Sequence, residues 1–190
     1  MPSTEATYGA LERRELLALA RASIAHGLAH GEPLRPDPEG YPEILLARRA
    51  CFVTLHLDGL LRGCIGSLEA RRPLVEDVAG NAYAAAFRDP RFPPVTEDEA
   101  PRLELEISVL SPPEPMRCGS EAELLAQLRP GVDGLVLADL GRSGTFLPSV
   151  WEQLPEPRDF LAHLKRKAGL PADYWSASLT VSRYTTERFG

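Results

Sequence analysis

A chain of 190 residues, 44% hydrophobic and 25% charged, is long enough for one substantial core and short for two independent ones, so residues 1–190 are expected to form a single domain. Its net charge of −6, from 27 acidic against 21 basic side chains, opposes a phosphate backbone, and the basic doublets Arg13-Arg14, Arg48-Arg49 and Arg71-Arg72 are scattered, which argues against nucleic acid as a partner. No apolar run is long enough for a bilayer and Met1 to Ala10 has no secretory pattern, so a cytoplasmic protein without a membrane partner is expected.

Residues 1–8 are expected to be flexible, and residues 9–30 read as a helix with Leu17, Ala20, Ile24 and Leu28 on one stripe. Gly31, Pro33, Pro36 and Pro38 end it in a loop. Cys51 to Leu57 reads as a strand, Asp58-Gly59 as a hairpin turn, and Leu60 to Ile65 as the returning strand. Pro73 opens a helix to about Phe87, with Leu74, Val78, Ala82 and Ala85 inward. The prolines of Arg88-Asp89-Pro90-Arg91-Phe92-Pro93-Pro94 force a loop. Leu103, Leu105, Ile107 and Val109 alternate with polar residues, which predicts a strand with one wet face, stopped at Ser111-Pro112-Pro113. A helix over Glu121 to Leu128 follows, then strands over Gly134 to Asp139 and Gly144 to Leu147. A helix over Pro157 to Ala168 is closed by Gly169, and the last strand is Ser178 to Tyr184. With hairpins and single strands in place of a βαβ alternation, the fold class is α+β, a mixed or antiparallel sheet flanked by helices.

Three cysteines, Cys51, Cys64 and Cys118, form no C-x-x-C pair, so neither a disulfide framework nor a structural zinc site is expected. His26 and His30 have the i,i+4 spacing of helical metal ligands but lack a third, and read as a solvated helix end. With no dinucleotide fingerprint or phosphate loop, no metal and no cofactor is expected. Trp151, Phe160, Leu161 and Leu164 read as core.

The most distinctive stretch is Leu61-Arg62-Gly63-Cys64-Ile65-Gly66, two glycines around a cysteine just after a hairpin turn. It resembles the signature of the AMMECR family, named for a chromosomal region linked to Alport syndrome and midface hypoplasia. Supporting stretches are Phe87-Arg88-Asp89-Pro90-Arg91-Phe92, Leu110-Ser111-Pro112-Pro113, Gly134-Leu135-Val136-Leu137, and Gly144-Thr145-Phe146-Leu147-Pro148 through Lys167-Ala168-Gly169-Leu170. The resemblance implies an α+β fold with a larger and a smaller lobe and a cleft between them. It also implies a pathway shared with a Memo-like protein and a radical SAM protein, which is association and not mechanism. Ser149 stands where many relatives have Gln, and Lys165 where many have Cys, so chemistry needing those groups is in doubt here.

Two readings stand for Cys64. As a nucleophile or ligand contact, its thiolate would be favoured by Arg62 and by exposed backbone amides around Gly63 and Gly66. As a structural residue, simple hairpin register sets Leu57 opposite Leu60 and Val53 opposite Cys64, on the core face, with His56 on the other. Arg88, Asp89 and Arg91 also read two ways: a bidentate grip on a small anionic ligand, or an Asp-Pro turn with Arg88 at a helix C-terminus. An anion site becomes the leading idea if their loop lies beside the Cys64 turn. The function is therefore carried as two hypotheses. One is an enzyme or substrate-handling protein built around Leu61–Gly66; the other is a non-catalytic adaptor docking on a Memo-like or radical SAM partner. A polar concavity around Cys64 favours the first, and a flat apolar patch the second.

Overall fold

A computed structural model describes residues 8–190. The flexible start expected for residues 1–8 lies, apart from Tyr8, outside the described residues. Tyr8 is buried, and its N–H donates to Glu187 Oε1 at 3.0 Å.

The helices and strands follow in the order α1 (Ala10–His30), α2 (Glu43–Leu46), β1 (Cys51–Leu57), β2 (Leu60–Gly66), α3 (Leu74–Phe87), β3 (Glu104–Leu110), β4 (Glu114–Pro115), α4 (Glu121–Gln127), β5 (Gly134–Asp139), β6 (Arg142–Phe146), α5 (Pro157–Lys167), β7 (Thr180–Tyr184) and β8 (Thr186–Phe189). Short 3-10 turns form at Pro38–Gly40, Ala100–Arg102 and Pro148–Glu152. The architecture is α+β, with two four-stranded sheets and two compact units. No helix among the described residues is long and apolar enough to cross a membrane.

The larger unit covers residues up to Ser111 together with Glu187–Gly190. Its sheet runs β2-β1-β3-β8, with β1 antiparallel to both neighbours. The alternation of β1 and β3 turns Cys51, Val53, Leu55, Leu105, Ile107 and Val109 to one face, where α1 and α3 cover them. Phe52, Thr54, His56, Glu104, Glu106 and Ser108 line the opposite face.

The α1 stripe is rotated from the expected one. Leu16, Leu19, Ala20, Ser23, Ile24 and Gly27 are buried, whereas Leu17 and Leu28 are half-buried. The cause is close approach of α3. Ser23 Oγ donates to Ala79 O at 2.8 Å, and the Tyr83 and Phe87 rings lie directly on Gly27. Small residues mark a helix contact that hydrophobicity alone does not register.

The smaller unit, Pro112–Thr186, holds the sheet β4-β7-β5-β6. Its core joins Leu124, Leu135, Leu137, Phe160, Leu164 and Val181 to Trp151, whose ring stacks on Phe160 at 3.8 Å between centroids. Trp151 Nε1 donates to Asp133 O at 2.7 Å, satisfying the one polar atom of a buried indole. Two strands were not expected. The pair β4 lies just past the Pro112-Pro113 stop, and β8 makes Tyr184 the end of the penultimate strand, not the last. Thr186–Phe189 is too short and charged to stand out, and it is a strand because β3 offers it an edge.

Gly27→Ala tests the helix contact. A Cβ there would meet Phe87 Cε2 at 2.5 Å and Tyr83 Cδ2 at 2.7 Å. The overpacking cost of about 1–3 kcal/mol outweighs the helix-propensity gain of about 1 kcal/mol. Urea unfolding of the variant is expected to show a net loss of up to about 2 kcal/mol, where an uncrowded helix glycine would show a gain.

Candidate functional site

The β1–β2 turn has left-handed backbone at both Asp58 (φ 52°) and Gly59 (φ 77°), as a two-residue hairpin requires. Leu57 pairs with Leu60 and His56 with Leu61, but Leu55 then pairs with Gly63. Arg62 is therefore an extra residue, a β-bulge, and every partner beyond it shifts by one. Cys64 stands opposite Thr54, not Val53. The simple register is corrected accordingly: Cys64 faces away from the helices, with its Sγ 3.3 Å from Thr54 Oγ1. His56 shares that face with Cys64, where sequence register had separated them.

The loop after α3 lies beside the β2 strand. Asp89, only 4% exposed, accepts the Cys64 N–H on Oδ2 at 2.9 Å. It also grips Arg91 bidentately, with Nε to Oδ1 at 2.9 Å and Nη2 to Oδ2 at 2.7 Å, and takes the Arg91 N–H at 3.1 Å. Arg91 Nη2 reaches Cys64 O at 3.3 Å. Because β2 is an edge strand, this pair caps both main-chain groups of Cys64 as a neighbouring strand would. The Arg91 hydrogen bonds, aided by the Cys64 amide, hold the Asp89 carboxyl well below the usual carboxylate range.

The remaining sequence candidates take other positions. Arg62 is turned into the 93–99 segment, donating to Glu99 (2.9 Å twice), Pro93 O (2.9 Å) and Pro94 O (3.3 Å). That pairing lowers the Glu99 pKa to about 2. The guanidinium expected to favour a Cys64 thiolate is thus bound to a carboxylate of its own. Gly63 lies under α3, where a Cβ would stand 2.1 Å from Ala85 O, and Gly66 lies under the Phe52 ring. The close approaches that the glycines signal are made by the chain itself. Arg88 is exposed and lies over the Tyr83 ring at 5.9 Å.

Cys64 is a half-buried thiol, Cys118 likewise, and Cys51 is fully buried. Burial pushes the Cys51 thiol well up, and raises that of Cys118. Thr54, His56, Glu104 and Glu106 share the Cys64 face but no motif announces them; only strand alternation could have found them. Among the described residues, no group of three or more His, Cys, Asp or Glu is arranged to hold a metal ion.

The chain is an α+β protein of two sheets whose bulged Leu61–Gly66 edge strand is capped by Asp89 and Arg91. The sequence matches the AMMECR1 family over residues 17–189, through both compact units. A protein of Methanothermobacter thermautotrophicus is 38% identical over 180 residues, 94% of this chain and 93% of its own length. One of Thermotoga maritima is 40% identical over 169 residues, 87% of this chain and 91% of its own. The crystal structure of the uncharacterised protein PH0010 of Pyrococcus horikoshii has a TM-score of 0.81 at 36% identity, covering 93% of this chain and 89% of that one. The chain belongs to the AMMECR1 family.

Asp89→Asn tests the edge cap through its pH dependence. A carboxylate with a depressed folded-state pKa adds stability above its unfolded pKa of about 3.9, which is lost as pH falls toward the folded value. Discounted for the exposed Arg91 partner, the variant is expected to be about 1–2 kcal/mol less stable at pH 7. Denaturant titrations should show the gap closing as pH drops below about 4.

Proposed function

We propose that this AMMECR1-family protein binds and handles a small anionic ligand at the capped edge of the first sheet. Arg91 serves as the anion-binding group and Cys64 as the contacting thiol. The observation that supports this most directly is the Asp89 carboxylate, which fixes the Arg91 guanidinium and the Cys64 amide at once. Arg91 keeps a side chain 55% exposed; its bonds to Asp89 and Cys64 use Nε and Nη2, and among the described residues Nη1 makes none. Because Asp89 neutralises its charge, the pull on an anion comes from directed N–H groups rather than net field. Such a fixed guanidinium loses little freedom on binding, which favours specificity for a planar acceptor such as a carboxylate.

Cys64 brings a polarizable nucleophile to the same place, and the Thr54 hydroxyl orients its sulfur. His56 and Glu104, directly paired across β1 and β3, give that face groups able to move protons. Gly63, Gly66 and Arg62 support the site by letting α3, Phe52 and the 93–99 segment close on the bulged strand. The adaptor reading, with a Memo-like or radical SAM partner, rests on the family resemblance alone.

Iodoacetamide labelling followed by mass spectrometry separates the two, with Cys51 and Cys118 as internal references. Native protein is expected to label at Cys64 while Cys51 labels only on denaturation. Inorganic phosphate or small carboxylates should slow Cys64 labelling in the native protein, and Arg91→Ala should abolish that protection. Labelling of Cys64 only after unfolding would remove the thiol from the site. Full labelling that no anion slows would shift weight to the adaptor reading.

A further inference from the structure

In the smaller unit, the segment between α5 and β7 has no helix or strand of its own. Its start is held to α5 by the Gly169 and Leu170 N–H groups, which donate to Arg166 O and Lys165 O at 2.9 Å. From Pro171 to Leu179 the main-chain hydrogen bonds are internal turns, Tyr174 N–H to Pro171 O at 3.1 Å and Leu179 N–H to Ser176 O at 3.3 Å. Besides the packing of Tyr174, Trp175 and Leu179 on the smaller core, one side chain at the end of β5 ties it down. Asp139 accepts from Tyr174 Oη at 2.9 Å, from Ser178 Oγ at 2.8 Å, and from Ser176 Oγ. Three hydroxyls on alternate residues converge on that single carboxylate.

The residue in the middle of this tether is Trp175. Its ring lies over Lys165 Nζ, 5.9 Å from ammonium nitrogen to centroid. Lys165 is 0% exposed, an uncommon state for a lysine, and its Nζ pairs with Glu121 at the start of α4. An ammonium has three donors, and among the described residues Glu121 is its one hydrogen-bond acceptor. A buried amine with a single carboxylate partner carries a desolvation cost that this one pair must offset, so its burial depends on what covers it staying in place.

We propose that residues 171–179 form a strap, latched by Asp139, that opens as a unit and controls access to the amine of Lys165. The strap suits local opening: it has few main-chain anchors, and Asp173, Ala177 and Ser178 are already exposed. Closed, it withholds a primary amine from solvent and from electrophiles. Open, it presents that amine beside the half-exposed Glu121 carboxylate, a ready site for acyl modification.

The sequence makes the test clean, because Lys165 and Lys167 are its only lysines and Lys167 is exposed. Acetylation with the N-hydroxysuccinimide ester of acetic acid, read by mass spectrometry, gives the ratio of Lys165 to Lys167 modification. In the intact protein Lys167 is expected to react well ahead of Lys165. Asp139→Ala removes three hydrogen bonds and should raise the Lys165 to Lys167 ratio at least about tenfold with circular dichroism unchanged, and Trp175→Ala should raise it as well. If Asp139→Ala unfolds the protein, the double variant Ser176→Ala, Ser178→Ala takes its place, with a smaller rise expected. Equal reactivity of the two lysines in the intact protein, or a ratio unmoved in a folded latch variant, would overturn the proposal.

Discussion

A carboxylate taken out of water must be matched donor by donor, and four buried aspartates organise the irregular parts of this chain under that constraint. Asp77 collects the Cys51 N–H, Ser67, Arg72 and Asn81. Asp89 collects Arg91 and the Cys64 N–H; Asp133 collects the Nε, Nη2 and main-chain N–H of Arg129. Asp139 collects three hydroxyls. Apart from Asn81 within α3 and the Cys64 N–H within β2, the donors come from a strand start, a loop or a turn. The acids therefore act as fasteners between regular and irregular structure. Where the donor is a guanidinium, as at Asp89, the same fastening leaves a directed cationic edge facing outward. Where the donors are hydroxyls, as at Asp139, nothing is presented, and the fastening can only hold or let go.

The bulge at Arg62 is the second constraint, and it depends on the first. An extra residue in an edge strand costs ladder hydrogen bonds and leaves main-chain groups unpaired. Here Arg62 itself anchors the 93–99 segment, and Asp89 with Arg91 pairs the exposed main chain of Cys64. Without the bulge, Cys64 would point at α3 among Val53 and Leu55 and would be a core residue like Cys51. With it, the thiol stands among Thr54, His56 and the acidic residues of β3.

Much of the fold is legible in the sequence because local chemistry and final structure agree. Asp58-Gly59 specifies its turn, Pro73 starts α3, and the alternation from Leu103 separates a wet from a dry face. The Arg88–Arg91 loop could be named as a candidate beside Cys64, though only tertiary structure brings Asp89 to its amide. What stays hidden is set by contacts distant in sequence. The α1 stripe is chosen by how closely α3 approaches Ser23 and Gly27. The strand β8 exists because β3 has a free edge, and the bulge because segments 89–91 and 93–99 are there to satisfy it. A register slip of one residue leaves no trace in composition or period, yet it reverses the face of every side chain beyond it.

That reversal also decides what the glycines of Leu61–Gly66 mean. The shift brings Gly63 to the helix face, where the backbone of α3 comes within contact of its Cα, and sets Gly66 beneath Phe52 on the Cys64 face. One glycine lets a helix seat tightly against the bulged strand, and the other lets the Phe52 ring cover its backbone. Neither leaves backbone bare for a ligand, so in the proposed function the motif contributes the Cys64 side chain. The anion-binding group of that proposal, Arg91, comes from outside the motif. A cysteine, its capping carboxylate and a guanidinium from separate elements are held together by hydrogen bonds of 2.7–3.3 Å. Such a site is specified by the agreement of two segments, so either segment alone reads as a turn or an ordinary strand.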